Sequence, residues 1–331
     1  MNSHQNANSV LTAQDIMSDR VKTLSPDTPV PEAIHTMLAN NYTGMPIADS
    51  EGNYRGVFSE KCCMRVLTTL VDLAEEPISD HLLAREIMIP RSRLFTVKPD
   101  DDVFDAVNSL LKHNFSGAPV IDSDGTFMGV LSEKTCMSLV IEAAYDGLPT
   151  ATVRGFIDNS MNRLIQPDTT LYHITKIFRE TSLRRLPVID HNEIVGQISR
   201  RDVINDSRIL SCIIKHHLDD PLDSPRSMTE ESMIIMAAQK SLPEQNVSGF
   251  ADEEARTIGP DVDIFSIAHL FHCTPYRRFP VVQDGKLIGL VSRCDVLRAS
   301  FGLLNRPQET SHKPLFLSAV TSAEDSQIWT R

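Results

Sequence analysis

Four times along the chain the hydrophobic positions run through the same succession of periods. A short apolar stretch meets a Pro-Asp turn in KTLSPDT, FTVKPDD, RLIQPDT and RTIGPDV. A proline or aspartate there sets the bend and starts a helix. Apolar residues then recur at spacings of three and four, the period of a half-buried helix. They are Ala33, Ile34, Met37 and Leu38 in the first unit and Val103, Ala106, Val107, Leu110 and Leu111 in the second. The third unit has Leu171, Ile174 and Ile177, and the fourth Ile264, Ile267, Ala268 and Phe271. A strand of the type PVID follows, then a turn at Gly52, Gly125, Asn192 or Gly285, residues that tolerate turn backbone. A second strand ends in serine, and Ser59, Ser132, Ser199 and Ser292 stand where the N-cap of a last helix belongs.

The pattern predicts a β-α-β-β-α unit in four copies, an α/β (α+β) fold. The copies align on Pro46, Pro119, Pro187 and Pro280, spaced by 73, 68 and 93 residues. A unit of this size has a small core, so two of them bury more apolar surface by packing sheet on sheet. Chain order predicts a first pair at 10–147, with repeats at 10–70 and 83–143, and a second at 151–304, with repeats at 151–208 and 254–302. The boundary falls at Asp146-Gly147-Leu148-Pro149, which has turn chemistry. An insertion at 219–249 delays the fourth unit; within it TEESMIIMAAQKSL, 229–242, reads as a short helix. Residues 305–331 read as a polar, flexible tail.

Composition narrows the function. The 331 residues carry a net charge of −12, which disfavours nonspecific binding to nucleic acid or anionic membrane. Residues 1–150 hold −10 of it and residues 151–331 only −2, so the second half has more cation to offer an anionic ligand. No apolar run approaches a membrane span, and the polar N-terminus lacks a secretory pattern. Six cysteines without a C-x-x-C pair fit a reduced cytoplasm. Neither Asp100–Asp102 nor Cys212 with His216 and His217 assembles enough converging ligands for a metal. No acid/base pair, Walker loop or nucleophile elbow stands out, so the reading is non-enzymatic.

Four such units, GMPIADSEGNYRGVFSEKCCMRVL, GAPVIDSDGTFMGVLSEKTCMSLV, RRLPVIDHNEIVGQISRRDVI and RRFPVVQDGKLIGLVSRCDVL, resemble CBS domains, the cystathionine-β-synthase repeat. Two in tandem resemble a Bateman module. The resemblance implies a regulatory protein that binds AMP, ADP or ATP between paired repeats and needs no other cofactor. It also implies a homodimer or an intramolecular disc, with a protein partner that the sequence does not identify. The family's ligand signature is Gly-x-x-Ser/Thr-x-x-Asp. It is complete at Gly196, Ser199 and Asp202, and again at Gly289, Ser292 and Asp295. The hydroxyl and free helix N–H groups suit phosphate, and the carboxylate suits a ribose diol. Arg200, Arg201 and Arg293 lie inside the signature, and Arg185 and Arg278 (with Arg184 and Arg277) precede the proline strands, so each is a candidate phosphate ligand. By family position Ile165 and Ile258, with Ile157, line the adenine ring. Repeats one and two have Cys62 and Thr135 in place of the aspartate. The second pair is therefore the expected binding module, with the ligand bridging units three and four.

Other readings of the same residues stay open. The serines serve as ordinary caps, the aspartates suit a first helical turn without a ligand, the arginines can form interface ion pairs, and the isoleucines can be core. The rival functions are a ligand-independent scaffold and a binder of another adenosine compound such as S-adenosylmethionine.

Overall fold

A computed structural model describes residues 10–73, 82–146, 151–160, 163–205 and 246–304. The tail, the proposed helix at 229–242, and all of the insertion except 246–249 lie outside the described residues, as do Cys212, His216, His217 and the 147–149 turn.

Each repeat folds as its periodicity predicts. Repeat one has a lead-in turn α1 (Ala13–Ile16), helix α2 (Val30–Ala39), strands β1 (Gly44–Ala48) and β2 (Tyr54–Ser59), and helix α3 (Glu60–Leu73). Repeat two has α4 (Ala84–Ile87), β3 (Ile89–Pro90), α5 (Val103–Lys112), β4 (Gly117–Ile121), β5 (Phe127–Ser132) and α6 (Cys136–Asp146). Repeat three has α7 (Leu171–Glu180), β6 (Arg185–Asp190), β7 (Glu193–Ser199) and α8 (Arg200–Asn205). Repeat four has α9 (Ile264–Cys273), β8 (Arg278–Gln283), β9 (Lys286–Ser292) and α10 (Arg293–Leu304). The hairpins are antiparallel and share one register irregularity, just after Ile47, Val120, Val188 and Val281. The third hairpin turns through His191 and Asn192, both at positive φ, so Asn192 does replace a turn glycine.

The way the repeats join departs from chain order. Ahead of each repeat runs a lead-in segment that docks on a different repeat. The lead-in of repeat one bridges Ser18 to Leu290 of repeat four, and that of repeat four bridges Asp252 to Val57 of repeat one. Repeats two and three exchange in the same way, through Ile89 on Gln197 and Asp158 on Val130. Two paired modules are thus present, but their sheet partners are one with four and two with three. Among the described residues no strand bridge joins one to two or three to four. This corrects the expected sheet packing of consecutive repeats. The reason is geometric. Only residues 147–150 separate α6 from the next lead-in, so that lead-in lies back on repeat two itself, at Asp102 and Val130. The long link after Asn205 lets repeat four reach repeat one.

The helices close the arrangement along the other edges. One core joins repeat one to repeat three, burying Met37, Phe58, Met64, Phe178 and Leu186. The other joins repeat two to repeat four, burying Leu110, Leu131, Phe271 and Phe279. Contacts therefore run in a ring of order one, three, two, four. Repeats one and two face each other across its middle, as do repeats three and four.

Candidate functional site

The Gly-x-x-Ser-x-x-Asp segments sit where β7 and β9 pass into α8 and α10. Ser199 donates from its backbone N–H and its Oγ to Asp202 Oδ2, both at 2.7 Å, and the Asp202 N–H donates back to Ser199 Oγ at 3.3 Å. Ser292 and Asp295 repeat this at 2.8, 2.6 and 3.3 Å. These are reciprocal capping boxes, satisfying helix donors without any ligand. Repeat two builds the same box with Thr135, whose Oγ1 accepts from the Ser132 N–H at 2.9 Å. In repeat one Cys62 Sγ lies 3.4 Å from Ser59 Oγ and donates to the Val57 carbonyl. Cys63 beside it is buried and its thiol is pushed well above the ordinary range, first by desolvation and then by the Cys62 charge, so Cys63 is no activated nucleophile.

The signature glycines answer to packing. A Cβ at Gly196 would lie 2.8 Å from the Ile89 carbonyl oxygen and collide with Met88 Sδ; one at Gly289 would collide with Met17 Sδ and lie 2.9 Å from its Cγ. Both neighbours belong to docked lead-in segments, so these glycines let a partner repeat's backbone approach. Gly56 and Gly129 hold the matching places in repeats one and two.

Two of the expected phosphate ligands are committed elsewhere. Arg293 is 7% exposed and its Nη2 donates to the Phe271 and Thr274 carbonyls at 3.1 and 3.0 Å, with its guanidinium 5.7 Å from the Phe271 ring centre. Arg200, 4% exposed, does the same to Phe178 and Thr181, both at 3.0 Å. Each seals the C-terminus of the preceding helix, where the carbonyls lack partners and the dipole favours a cation. Burial pulls both guanidinium pKa values down to about 10. Arg200 also forms part of a cleft wall, but its Nη2 is spent on the helix end. Ile165 and Ile258 are likewise core residues. They bridge Val188 and Val281 in parallel and donate to the Pro187 and Pro280 carbonyls, at the places Leu24 and Val97 hold in the first two repeats.

What remains open to a ligand is a cleft and a chamber. The cleft, about 180 Å³, runs between repeats one and four. Pro46, Val57, Pro280 and Leu290 give it apolar walls, Tyr276 an aromatic ring, and Ser59, Lys61 and Asp252 a polar edge. Ser182, Arg184 and Arg200 of repeat three close one side of it, so repeat one joins the expected units three and four at the cleft. The chamber, about 520 Å³, lies at the middle of the ring and takes residues from all four repeats. Thr43, Arg184, Arg277 and Arg278 line both spaces, so the two adjoin.

Six arginines line the chamber: Arg184, Arg185, Arg201, Arg277, Arg278 and Arg298. Three acids face them: Glu60, Glu133 and Asp295. Glu133 takes both Nε and Nη2 of Arg277, at 3.1 and 3.2 Å. Glu60 accepts from Arg201 Nε at 3.1 Å. Arg185 donates to Ser116 Oγ and Arg278 to Thr43 Oγ1, the same hydroxyl–guanidinium contact across each module. No side-chain hydrogen bond or ion pair ties Arg184 to another described residue. Its guanidinium is pulled down to about 9, first by desolvation and then by Arg277, Arg200 and Arg293. Desolvation and Arg277 also lower Arg185 and Arg278. Cation is crowded here despite the acidic chain.

Sequence reasoning included Arg185, Arg278, Ser292 and Asp295 among these residues, and Ser199 also lines the chamber. It also included Arg184, Arg201 and Arg277, and it missed Tyr276, Thr43, Lys61, Arg298 and the two glutamates. A signal existed for some: Thr43-Gly44 and Ser116-Gly117 occupy the places of Arg184-Arg185 and Arg277-Arg278, ahead of the proline strands.

The signature of the CBS domain matches residues 13–69, 84–142, 162–208 and 247–302, about two thirds of the chain. The chain is a CBS-domain protein. Its CBS repeats are regulatory, non-catalytic units, and their matched positions fit two Bateman modules. It is similar to protein MJ1225 of Methanocaldococcus jannaschii, 25% identical over 200 residues, covering 58% of this chain and 68% of that one. It is also similar to the chloroplastic protein CBSX2 of Arabidopsis thaliana, 24% identical over 227 residues, covering 68% and 66%. Among solved structures, MJ1225 aligns at 18% identity over 87% of this chain and 99% of that one, with a TM-score of 0.37. CBSX2 in complex with AMP aligns at 26% identity over 39% of this chain and 98% of that one, with a TM-score of 0.35. No helix among the described residues is long and apolar enough to cross a membrane.

Proposed function

We propose that this CBS protein is a non-catalytic sensor of an adenine nucleotide, AMP, ADP or ATP. The observation that carries the reading is the junction of an apolar, tyrosine-bearing cleft with an arginine-rich chamber through the shared walls Thr43, Arg184, Arg277 and Arg278. The base fits the cleft, stacked on Tyr276. The phosphates point to the chamber, where guanidinium groups make forked contacts. Most of the ligand's contacts come from the second half of the chain, through Tyr276, Arg184, Arg185, Arg277 and Arg278, with Asp295 at the chamber wall. Repeat one completes the cleft. Such a ligand spans repeats one, three and four, and regulates only if its affinity differs between two arrangements of the ring. The self-satisfied capping boxes favour a second reading, a ligand-independent scaffold.

Calorimetric titration of the full chain with ATP, ADP, AMP, S-adenosylmethionine and adenosine separates the readings. Saturable heat with a nucleotide, lost in Tyr276→Ala and Arg278→Ala while the far-ultraviolet spectrum is kept, supports the sensor. No heat and no thermal protection with any of the three nucleotides sinks it in favour of the scaffold. Saturation by S-adenosylmethionine alone moves the site to another adenosine compound.

A further inference from the structure

The chamber's lining is unbalanced and partly self-neutralised. Its six arginines against three acids leave a formal excess of three positive charges, inside a chain whose own charge is −12. Two of the three acids, Glu60 and Glu133, are 8% and 3% exposed. They come from repeats one and two, at the sequence places where repeats three and four carry Arg200 and Arg293. Each reaches across a helix contact to an arginine that also faces the chamber: Glu60 to Arg201 and Glu133 to Arg277. The bidentate grip of Glu133 on Arg277 has the geometry a phosphate would use. Arg184, Arg185 and Arg278 stand beside these pairs without a close ion-pair contact among the described residues, with Glu60 supporting the charge of all three from further off and Glu133 that of Arg185 and Arg278. Crowded guanidinium groups in a partly desolvated cavity repel one another, and a multiply charged anion relieves that repulsion more than a singly or doubly charged one does.

We infer that the chamber is a site for a condensed phosphate chain, with Glu60 and Glu133 as internal counter-ions that compete with it for Arg201 and Arg277. The inference deepens the nucleotide reading, because the tail of ADP or ATP is such a chain. It also applies to free pyrophosphate or tripolyphosphate. It makes the protein a reader of phosphate-chain length. Orthophosphate, or the single phosphate of AMP, meets too few of the arginines to outweigh the glutamates. Because each glutamate bridges two repeats, an occupied chamber loosens the contacts of repeat one with three and of repeat two with four.

The test is calorimetric titration of the full chain, in a chelating buffer without divalent cations, with orthophosphate, pyrophosphate, tripolyphosphate, AMP and ATP. Each added phosphate that gains a charge-assisted contact tightens binding by roughly ten-fold, so tripolyphosphate binds about a hundred-fold more tightly than orthophosphate. Glu133→Gln and Glu60→Gln each tighten tripolyphosphate by about ten-fold while lowering the unfolding temperature of the free protein. That opposite movement is what a purely structural ion pair does not produce. Arg278→Ala weakens tripolyphosphate by ten-fold or more. Equal affinities for orthophosphate and tripolyphosphate overturn the inference, as does weaker binding in both glutamine variants. Tripolyphosphate binding without ATP binding keeps the chamber and removes the nucleotide. Equal AMP and ATP affinities without tripolyphosphate binding keep the nucleotide and remove the chamber.

Discussion

Replacing Arg293 with alanine separates a structural guanidinium from a ligand-binding one. In the folded chain its Nη2 closes the end of α9 through the Phe271 and Thr274 carbonyls, and its guanidinium carbon lies over the Phe271 ring, 5.7 Å from its centre. A hydrogen bond to a charged donor contributes roughly 1.5–3 kcal/mol, and a desolvated cation over a ring about 1–2 kcal/mol. Against this, the Arg293 Nε is buried without a partner, a cost of roughly 1–3 kcal/mol that the alanine removes. The net loss expected for Arg293→Ala is on the order of 3 kcal/mol, a large part of the stability of a chain of this kind. The carbonyls it leaves behind keep the loss from shrinking further. Arg200→Ala, at the end of α7 with contacts of the same lengths within 0.1 Å, loses a similar amount. The assay is urea unfolding followed by far-ultraviolet signal, with ATP affinity measured at low denaturant on the fraction that folds. A lower midpoint with unchanged affinity is the expected result. A loss under about 1 kcal/mol together with a ten-fold drop in ATP affinity would return Arg293 to the phosphate site and refute the reasoning.

Two further substitutions probe the glycine contacts and the first hairpin tip. Gly196→Ala destabilises more than Gly289→Ala, because the new methyl meets a backbone carbonyl at Ile89 in one case and mainly the flexible Met17 side chain in the other; overpacking of this kind costs about 1–3 kcal/mol, and thermal unfolding of the two variants gives the order. At the first hairpin tip the Asp49 carboxyl is held down at about 2, first by the Asn53 side chain and then by its N–H, with Arg55 and the Glu51 N–H adding to it. A depressed carboxyl stabilises fully above its unfolded value near 4 and loses that contribution as pH falls through 2. Asp49→Asn therefore raises amide exchange at Glu51 and Asn53 at pH 7, and its effect disappears only well below pH 2.

The repeat and its element order were legible in the sequence because both are local: a period of three to four, a proline strand, a turn, a serine cap. Family resemblance brought Ser292, Asp295, Arg185 and Arg278 to the chamber wall for the same reason, since each lies at a fixed step from such a local mark. What failed was everything decided by a residue far along the chain. Gly196 reads as a phosphate-loop glycine until Met88 and Ile89 are seen against it. Arg200 and Arg293 read as phosphate ligands until the helix ends that precede them fold back over the capping turns. Glu60 and Glu133 read as first-turn acids suited to a helix dipole. Their partners Arg201 and Arg277 lie more than a hundred residues on, and neither periodicity nor spacing points to them.

Partner choice among the repeats shows how little energy separates the topologies that local pattern leaves open. The strand bridge of repeat one with four closes about two and a half times as much chain as that of repeat two with three. Closure entropy grows only with the logarithm of loop length, so the longer closure costs on the order of 0.8 kcal/mol more. That difference is smaller than one well-made hydrogen bond to a charged group, at roughly 1.5–3 kcal/mol. Each closed pair carries a guanidinium–hydroxyl contact of that kind, Arg278 on Thr43 and Arg185 on Ser116. Specific contacts therefore outweigh chain proximity. The shortest inter-repeat link, residues 147–150, still marks one true pair, because its lead-in has no length to go anywhere but back onto repeat two. With two and three so joined, one and four are left to exchange lead-ins with each other, and the 40 residues between Asn205 and Asn246 are enough chain to allow it. The same exchange sets arginines of repeats three and four against hydroxyls of repeats one and two, while the helix contacts set them against the glutamates, and together these give the chamber its charge.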